Sequence, residues 1–184
     1  MGKVLKILSK LENISCYDFI NYIDLASVDE RSGLIQEYKR LTSEDIPSRA
    51  RQKIEKGDLL IASLKGSLKS IAVYGGNLEN AIASTGFFII KETDNYNNFY
   101  LWALFRTYIY QKLLECVTTG AIMSAINRQE LENLEIPSPS IEIQNKIAKE
   151  VKSRREKTKK LQQEAKELLE EAKNKVEKMI LGRI

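Results

Sequence analysis

Between Ser140 and Gly182 the sequence contains neither proline nor glycine. No other stretch constrains the fold as strongly. Forty residues of uninterrupted helix reach ~60 Å, more than a small domain needs to cover its own core. Ser140 is suited to cap the start. Apolar residues recur at steps of three and four through Ile147, Val151, Leu161, Ala165, Leu168, Ala172 and Met179. Arg154, Thr158 and Lys175 interrupt this seam. Its alanines allow close helix approach, and flanking Lys, Glu and Gln form mixed pairs such as Glu150 with Arg154. A single amphipathic helix this long needs a second long helix to pack on. The rest of the chain offers none, so the pattern predicts a partner helix from a second molecule. The alternative is a helix folded back on its own domain.

Pro137 and Pro139 divide the chain into a mixed region, 1–137, and the helical region, 138–184. The expected class is α+β. The segments 58–63 and 70–75 read as strands around a loop, Leu64 to Lys69, with one glycine and two lysines. Residues 81–84 and 87–91 read as further strands, and Thr85-Gly86 between them as a bulge or close backbone approach. Residues 22–28 and 34–38 are shorter strand candidates. A helix of about eighteen residues is expected from Asn98, capped by Asn97 or Asn98. Its core stripe would be Leu101, Trp102, Phe105, Tyr108, Ile109, Leu113 and Val117. Gly120 is suited to a left-handed C-cap. Asn127 with Glu130 forms a capping-box pattern that opens a short helix to about Glu132.

Charge is unevenly placed. The net value is +4, but residues 1–140 sum to −1 and residues 141–184 to +5. Within the first part, Lys39 to Lys69 carries eight cations against four acids. A basic block on a near-neutral domain is the footprint of a polyanion partner. An ordinary solvated surface is the competing explanation.

The absences exclude most catalysis. There is no histidine, which removes His-based nucleophile systems, His-ligated zinc and a histidine general base. Cys16 and Cys116 lie a hundred residues apart and read as reduced thiols. No phosphate-binding loop, dinucleotide fingerprint, nucleophile elbow or amino-methyltransferase motif occurs. Asp24, Asp29 and Asp58 sit where Asp caps turns. With neither a secretory signal nor an 18-residue apolar run, the expectation is a cytoplasmic protein without a membrane partner. The pattern is that of a binding module.

Several motifs then occur in order: Tyr22-Ile23-Asp24-Leu25-Ala26-Ser27-Val28-Asp29, Pro47-Ser48-Arg49-Ala50-Arg51-Gln52 and Gly57-Asp58-Leu59-Leu60. Ile82-Ala83-Ser84-Thr85-Gly86-Phe87, Gly120-Ala121 and Leu131-x-x-Leu134-x-Ile136-Pro137 with Pro139 follow. Gln144-x-x-Ile147-Ala148 opens the long helix. Together they resemble the DNA specificity (S) subunit of type I restriction-modification systems. The resemblance implies a target recognition domain for double-stranded DNA and a spacer helix that docks methyltransferase subunits. This sequence differs in carrying one such domain and one helix where the family carries two of each. It therefore looks like half a subunit, expected to form a homodimer reading an interrupted palindrome. The resemblance further implies that this chain is non-catalytic and binds no cofactor. S-adenosylmethionine would serve a methyltransferase (M) subunit, and ATP and magnesium a restriction (R) subunit. A silent cassette or a coiled-coil scaffold is the alternative.

The residues expected at DNA fall in two sets. Arg49 and Arg51, two apart in an extended segment, point the same way, and Lys65, Ser67 and Lys69 flank the strand-connecting loop. Thr118, Thr119, Ser124 and Arg128, beyond the aromatic helix, form the second set. An arginine bidentate to guanine is worth ~1–3 kcal/mol of discrimination.

Overall fold

The run Leu59 to Ala62 is apolar on both faces because it lies between two layers. The computed structural model describes residues 5–42, 44–119 and 124–182. Strand β6 (Leu59–Ala62) is wholly buried; Leu59 and Ile61 face a helical layer, and Leu60 and Ala62 face a second sheet. It is the middle strand of an antiparallel sheet, with β7 (Ile71–Val73) on one side and β9 (Phe87–Ile90) on the other.

The second sheet has the order β4 (Lys39–Thr42), β1 (Phe19–Ile23), β8 (Ala81–Ser84), β5 (Ala50–Lys53). Only the β1–β8 pair is parallel. Side-chain alternation places Ile23 of β1 between the sheets, whereas Ile20 and Tyr22 face an outer cluster closed by Ile14, Tyr17 and Ile46. Two minor hairpins complete the strands. One pairs β2 (Val28–Asp29) with β3 (Leu34–Ile35), and the other pairs β10 (Thr118–Thr119) with β11 (Ala125–Ile126).

Two expectations need correction here. The segment 22–28 is not one strand: β1 ends at Ile23, and Asp24 caps a single 3-10 turn, accepting from the Ser27 backbone N–H at 3.1 Å. The eighteen-residue helix is also two helices, α1 (Asn98–Phe105) and α2 (Tyr108–Cys116). Thr107 breaks it, its hydroxyl donating to the Leu104 carbonyl (2.8 Å) and accepting from Tyr110 N–H (3.4 Å). The new start rotates the buried stripe. Leu101 and Phe105 are buried as expected, but α2 buries Tyr110 and Leu114 and exposes Tyr108, Ile109 and Leu113.

Asn97 caps α1, and Asn127 caps α3 (Arg128–Glu132) by accepting from Glu130 N–H at 2.9 Å. Gly120 and Ala121 lie outside the described residues. α4 (Ile141–Ile180) is the forty-residue helix. Ser140 stands at its N-cap position without a side-chain capping bond. Among the described residues no helix is long and apolar enough to cross a membrane.

Candidate nucleic-acid interface

The ends of four strands and one hairpin meet on one side of the two sheets. Ala50 of β5 is paired with Ser84 of β8, and Ala62 of β6 with Phe87 of β9. Backbone bonds stitch this end together. Thr85 N–H donates to the Arg49 carbonyl (2.8 Å), Ser63 N–H to Gly86 (2.9 Å), and Ile126 N–H to Ser63 (2.8 Å). Leu64 then bridges Ala125, and Lys65 N–H donates to the Ser124 carbonyl at 3.0 Å. Residues far apart in sequence thus share one edge. Leu25 belongs to it as well, since a Cβ on Gly86 would lie 3.4 Å from its side chain.

This geometry brings most of the expected residues together. Arg49 and Arg51 are both exposed while Ala50 and Gln52 are buried. Arg51 is the extra residue of a β-bulge against β8, and its Nε donates to the Ser48 carbonyl at 3.3 Å. Gln52 fixes the strand from inside, donating to the Ser84 and Phe87 carbonyls at 2.7 and 2.9 Å. Lys65 and Lys69 are exposed and Ser67 is half-buried in the connecting 3-10 turn. The Thr118 hydroxyl donates to the Glu115 carbonyl at 2.7 Å. The Thr119 backbone pairs with Ala125. The Lys112 ammonium beside it, aided by Lys65 and Lys69, holds the exposed Glu115 carboxyl below the usual range.

Arg128 departs from its expected place. Its guanidinium pairs with Glu132 at 2.7 Å and donates to the Ile7 and Leu8 carbonyls at 2.8 and 3.3 Å. It fastens the N-terminal segment to α3.

The long helix is anchored by residues that the apolar pattern did not single out. Gln144 is buried, accepts from Asn97 N–H at 3.0 Å and donates to the Asn95 and Pro139 carbonyls at 2.9 and 3.0 Å. One turn further, Ala148 is buried, and Val151, Arg155 and Thr158 are half-buried. Arg155 lies over the rings of Phe99 (5.4 Å) and Trp102 (5.0 Å), and its Nη2 donates to the Gly33 carbonyl at 3.2 Å. Burial pushes its guanidinium down to about 10, with repulsion from Arg106 adding to the effect.

Arg106 covers the Trp102 ring at 4.9 Å and donates to the carbonyls of Glu30, Arg31 and Lys69. Gly33, at φ +65°, closes the joint: a Cβ there would lie 2.7 Å from the indole. The seam residues divide accordingly. Val151 packs on the chain's own body, Ile147 lies at its margin, and Leu161, Ala165, Leu168, Ala172 and Met179 are exposed.

The described residues contain no group of three or more His, Cys, Asp or Glu side chains placed to hold a metal, and both cysteines are free and exposed. Asp24, Asp29 and Asp58 cap local backbone N–H groups, and so carry out turn chemistry. What this edge presents is a row of cations and hydroxyls on a rigid sheet end, suited to phosphates and base edges.

No protein-family model matches the chain, and no curated protein matches it. Solved structures do. The HsdS subunit from Thermoanaerobacter tengcongensis aligns with a TM-score of 0.70 and 25% identity, over 92% of this chain and 44% of that one. A chain from a structure on complex assembly and conformational transition of the type I R-M system aligns with a TM-score of 0.72 and 26% identity. That alignment covers 97% of this chain and 45% of the other. The chain thus spans a little under half the length of the proteins it matches. Its ordered motifs and this near-complete overlap agree: it has the α+β fold of a specificity subunit of type I restriction-modification systems, over the extent of one recognition unit and its long helix.

Proposed function

We propose that this chain recognises a short double-stranded DNA sequence as the non-catalytic specificity component of a type I restriction-modification complex. Residues 1–137 form the recognition domain and residues 138–184 the spacer and association helix. One observation carries the reading: Arg49, Arg51, Lys65, Ser67, Lys69, Thr118, Thr119 and Ser124, drawn from three separate segments, converge on one strand-end edge. The cations bind phosphates, and one or both arginines read base edges.

The distal face of α4, with Leu161, Ala165, Leu168, Ala172 and Met179 exposed, supports association with a second copy in an antiparallel pair. Two-fold symmetry would then make the target an interrupted palindrome. Adenine methylation and cleavage belong to methyltransferase and restriction partners. S-adenosylmethionine would be held by the first, and ATP with magnesium by the second. The complex would work in the cytoplasm.

The test is co-expression with the adjacent methyltransferase subunit and genome-wide mapping of methylated adenine. An interrupted palindromic motif that depends on this chain supports the whole reading. An asymmetric motif keeps DNA recognition and replaces the homodimer with a different second unit. Absence of a motif from a soluble complex favours the scaffold or silent-cassette alternative, which the exposed helix seam also accommodates.

A further inference from the structure

The break at Thr107 leaves an apolar surface that neither the fold nor the predicted DNA contacts account for. Had α1 continued unbroken, Ile109 would lie one turn beyond Phe105, on the core face. Instead α2 turns Tyr108 and Ile109 to solvent at 77% and 67% exposure, with Leu113 at 39%. Among the described residues only two other large apolar side chains outside α4 and its end are exposed, Leu11 and Tyr38. The three on α2 form one contiguous patch.

That patch is stiffly mounted and ringed by cations. Gln111 Nε2 donates to the Phe105 and Leu68 carbonyls at 2.8 and 3.3 Å, and Tyr110 Oη to Glu135 at 2.7 Å. The bond to Leu68 ties α2 directly to the loop bearing Lys65 and Lys69. Lys112 stands within the patch, its ammonium 6.0 Å from the Tyr108 ring centre. Lys112 also pairs with Glu115 at 2.7 Å, and Lys65 and Lys69 act on that same carboxylate from the neighbouring loop. A protein partner fits this composition poorly, because interface cores are depleted in lysine. A duplex fits it well. Apolar side chains contact thymine methyl groups or wedge between base steps, while flanking lysines neutralise phosphates.

We propose that the exposed face of α2 is a DNA-reading surface, in which Tyr108 and Ile109 make sequence-dependent apolar contacts with bases. Lys65, Lys69 and Lys112 hold the adjacent phosphates. The inference rests on the DNA-recognition reading above and adds α2 to the specificity-determining elements.

The test starts with selection of a preferred duplex from a randomised library by the full chain with its methyltransferase subunit. Affinities for the enriched duplex and a scrambled one are then compared. Tyr108→Ser with Ile109→Gln, both at exposed positions, should weaken the enriched duplex about 30-fold and leave the scrambled one within about twofold. Replacing Lys65, Lys69 and Lys112 by Gln should weaken both duplexes alike and reduce the salt slope by nearly three. A double variant that folds and keeps the wild-type affinity ratio overturns the proposal. Retention of that ratio with loss of the methyltransferase subunit overturns it in favour of protein docking. A wild-type complex that binds no duplex overturns the proposed function together with this inference.

Discussion

From Gln144 to Thr158, α4 returns one face to the body of the protein at every turn, whereas from Lys159 to Ile180 every side chain is exposed. The two stretches belong to one helix, but their chemistry is different. The docked face is Gln144, Ala148, Val151, Arg155 and Thr158; Gln144 and Arg155 donate to carbonyls of the body, Thr158 to the Arg154 carbonyl of its own helix, and Arg155 also lies on aromatic rings. The undocked face is leucine and alanine with Met179 near its end. Polar residues fix orientation here because each of their hydrogen bonds is directional and has a partner in a set place. Leucine and alanine supply area and close approach, which is what association with another helix requires. The apolar periodicity of the sequence therefore marks the half whose apolar side chains are exposed. The half that is already satisfied is nearly silent to it.

This contrast can be broken at either end. The largest effect is expected from Leu161→Glu with Leu168→Glu. Each leucine is worth ~1.5–3 kcal/mol when buried, so the pair should weaken self-association at least 100-fold. The unfolding midpoint of the recognition domain should stay put. Light scattering and thermal melts read the two quantities separately, and an unchanged mass would move the contact off this face.

Trp102→Ala should do the reverse. It removes the ring beneath Arg106 and Arg155 and the Nε1 bond to the Ile71 carbonyl (3.0 Å), for about 3 kcal/mol of domain stability. Dimer mass should persist at temperatures where the domain remains folded.

The smallest effect sharpens the comparison through pH. Asp29 lies in the hairpin beneath the joint, and hydrogen bonds from Ser32, opposed in part by burial, hold its carboxyl below the ordinary 3.8. A depressed folded value contributes stability above the unfolded pKa, and that contribution is lost as pH falls through the folded value. Acid titration of wild type should show that limb, and Asp29→Asn should flatten it. A parallel pair of curves would remove Asp29 from the account.

The sequence carries some elements openly and hides others for definable reasons. β6, β7 and β9 are nearly pure apolar runs because layers cover both faces of the inner sheet, β8 is one because the outer cluster covers its far face, and α4 is set by the lack of breakers. By contrast, β4 is Lys-Arg-Leu-Thr at a sheet edge with Arg40 stacked 3.8 Å over Phe19, and β5 buries an alanine and a glutamine. Neither offers hydrophobic contrast to a periodicity count. The division of α1 from α2 is made by Arg106-Thr107, which contains no proline or glycine, so the inward stripe was extended one turn too far.

The candidate edge is legible as residue types and partly as pairs, since alternation alone puts Arg49 and Arg51 on one side. Its assembly depends on main-chain bonds at Ser63 and Gly86, with the Ser63 hydroxyl also donating to the Gly86 carbonyl at 2.9 Å. Arg128 donates to the carbonyls of Ile7 and Leu8, some 120 residues away, a tie that sequence spacing does not reveal. Surface arginines held by distant main chain look the same in sequence as arginines awaiting a phosphate.

The joint at Gly33, Trp102 and Arg155 is also the root of a lever. The twenty-odd residues beyond Thr158 extend about 33 Å, so a tilt of about 6° at the joint moves the tip about 3.4 Å, the rise of one base pair. If two recognition units are held apart by such levers, a ring-on-guanidinium stack sets how many base pairs lie between their half-sites. A single methyl group added at Gly33, far from any base, would then change the length of the sequence being read without changing its letters.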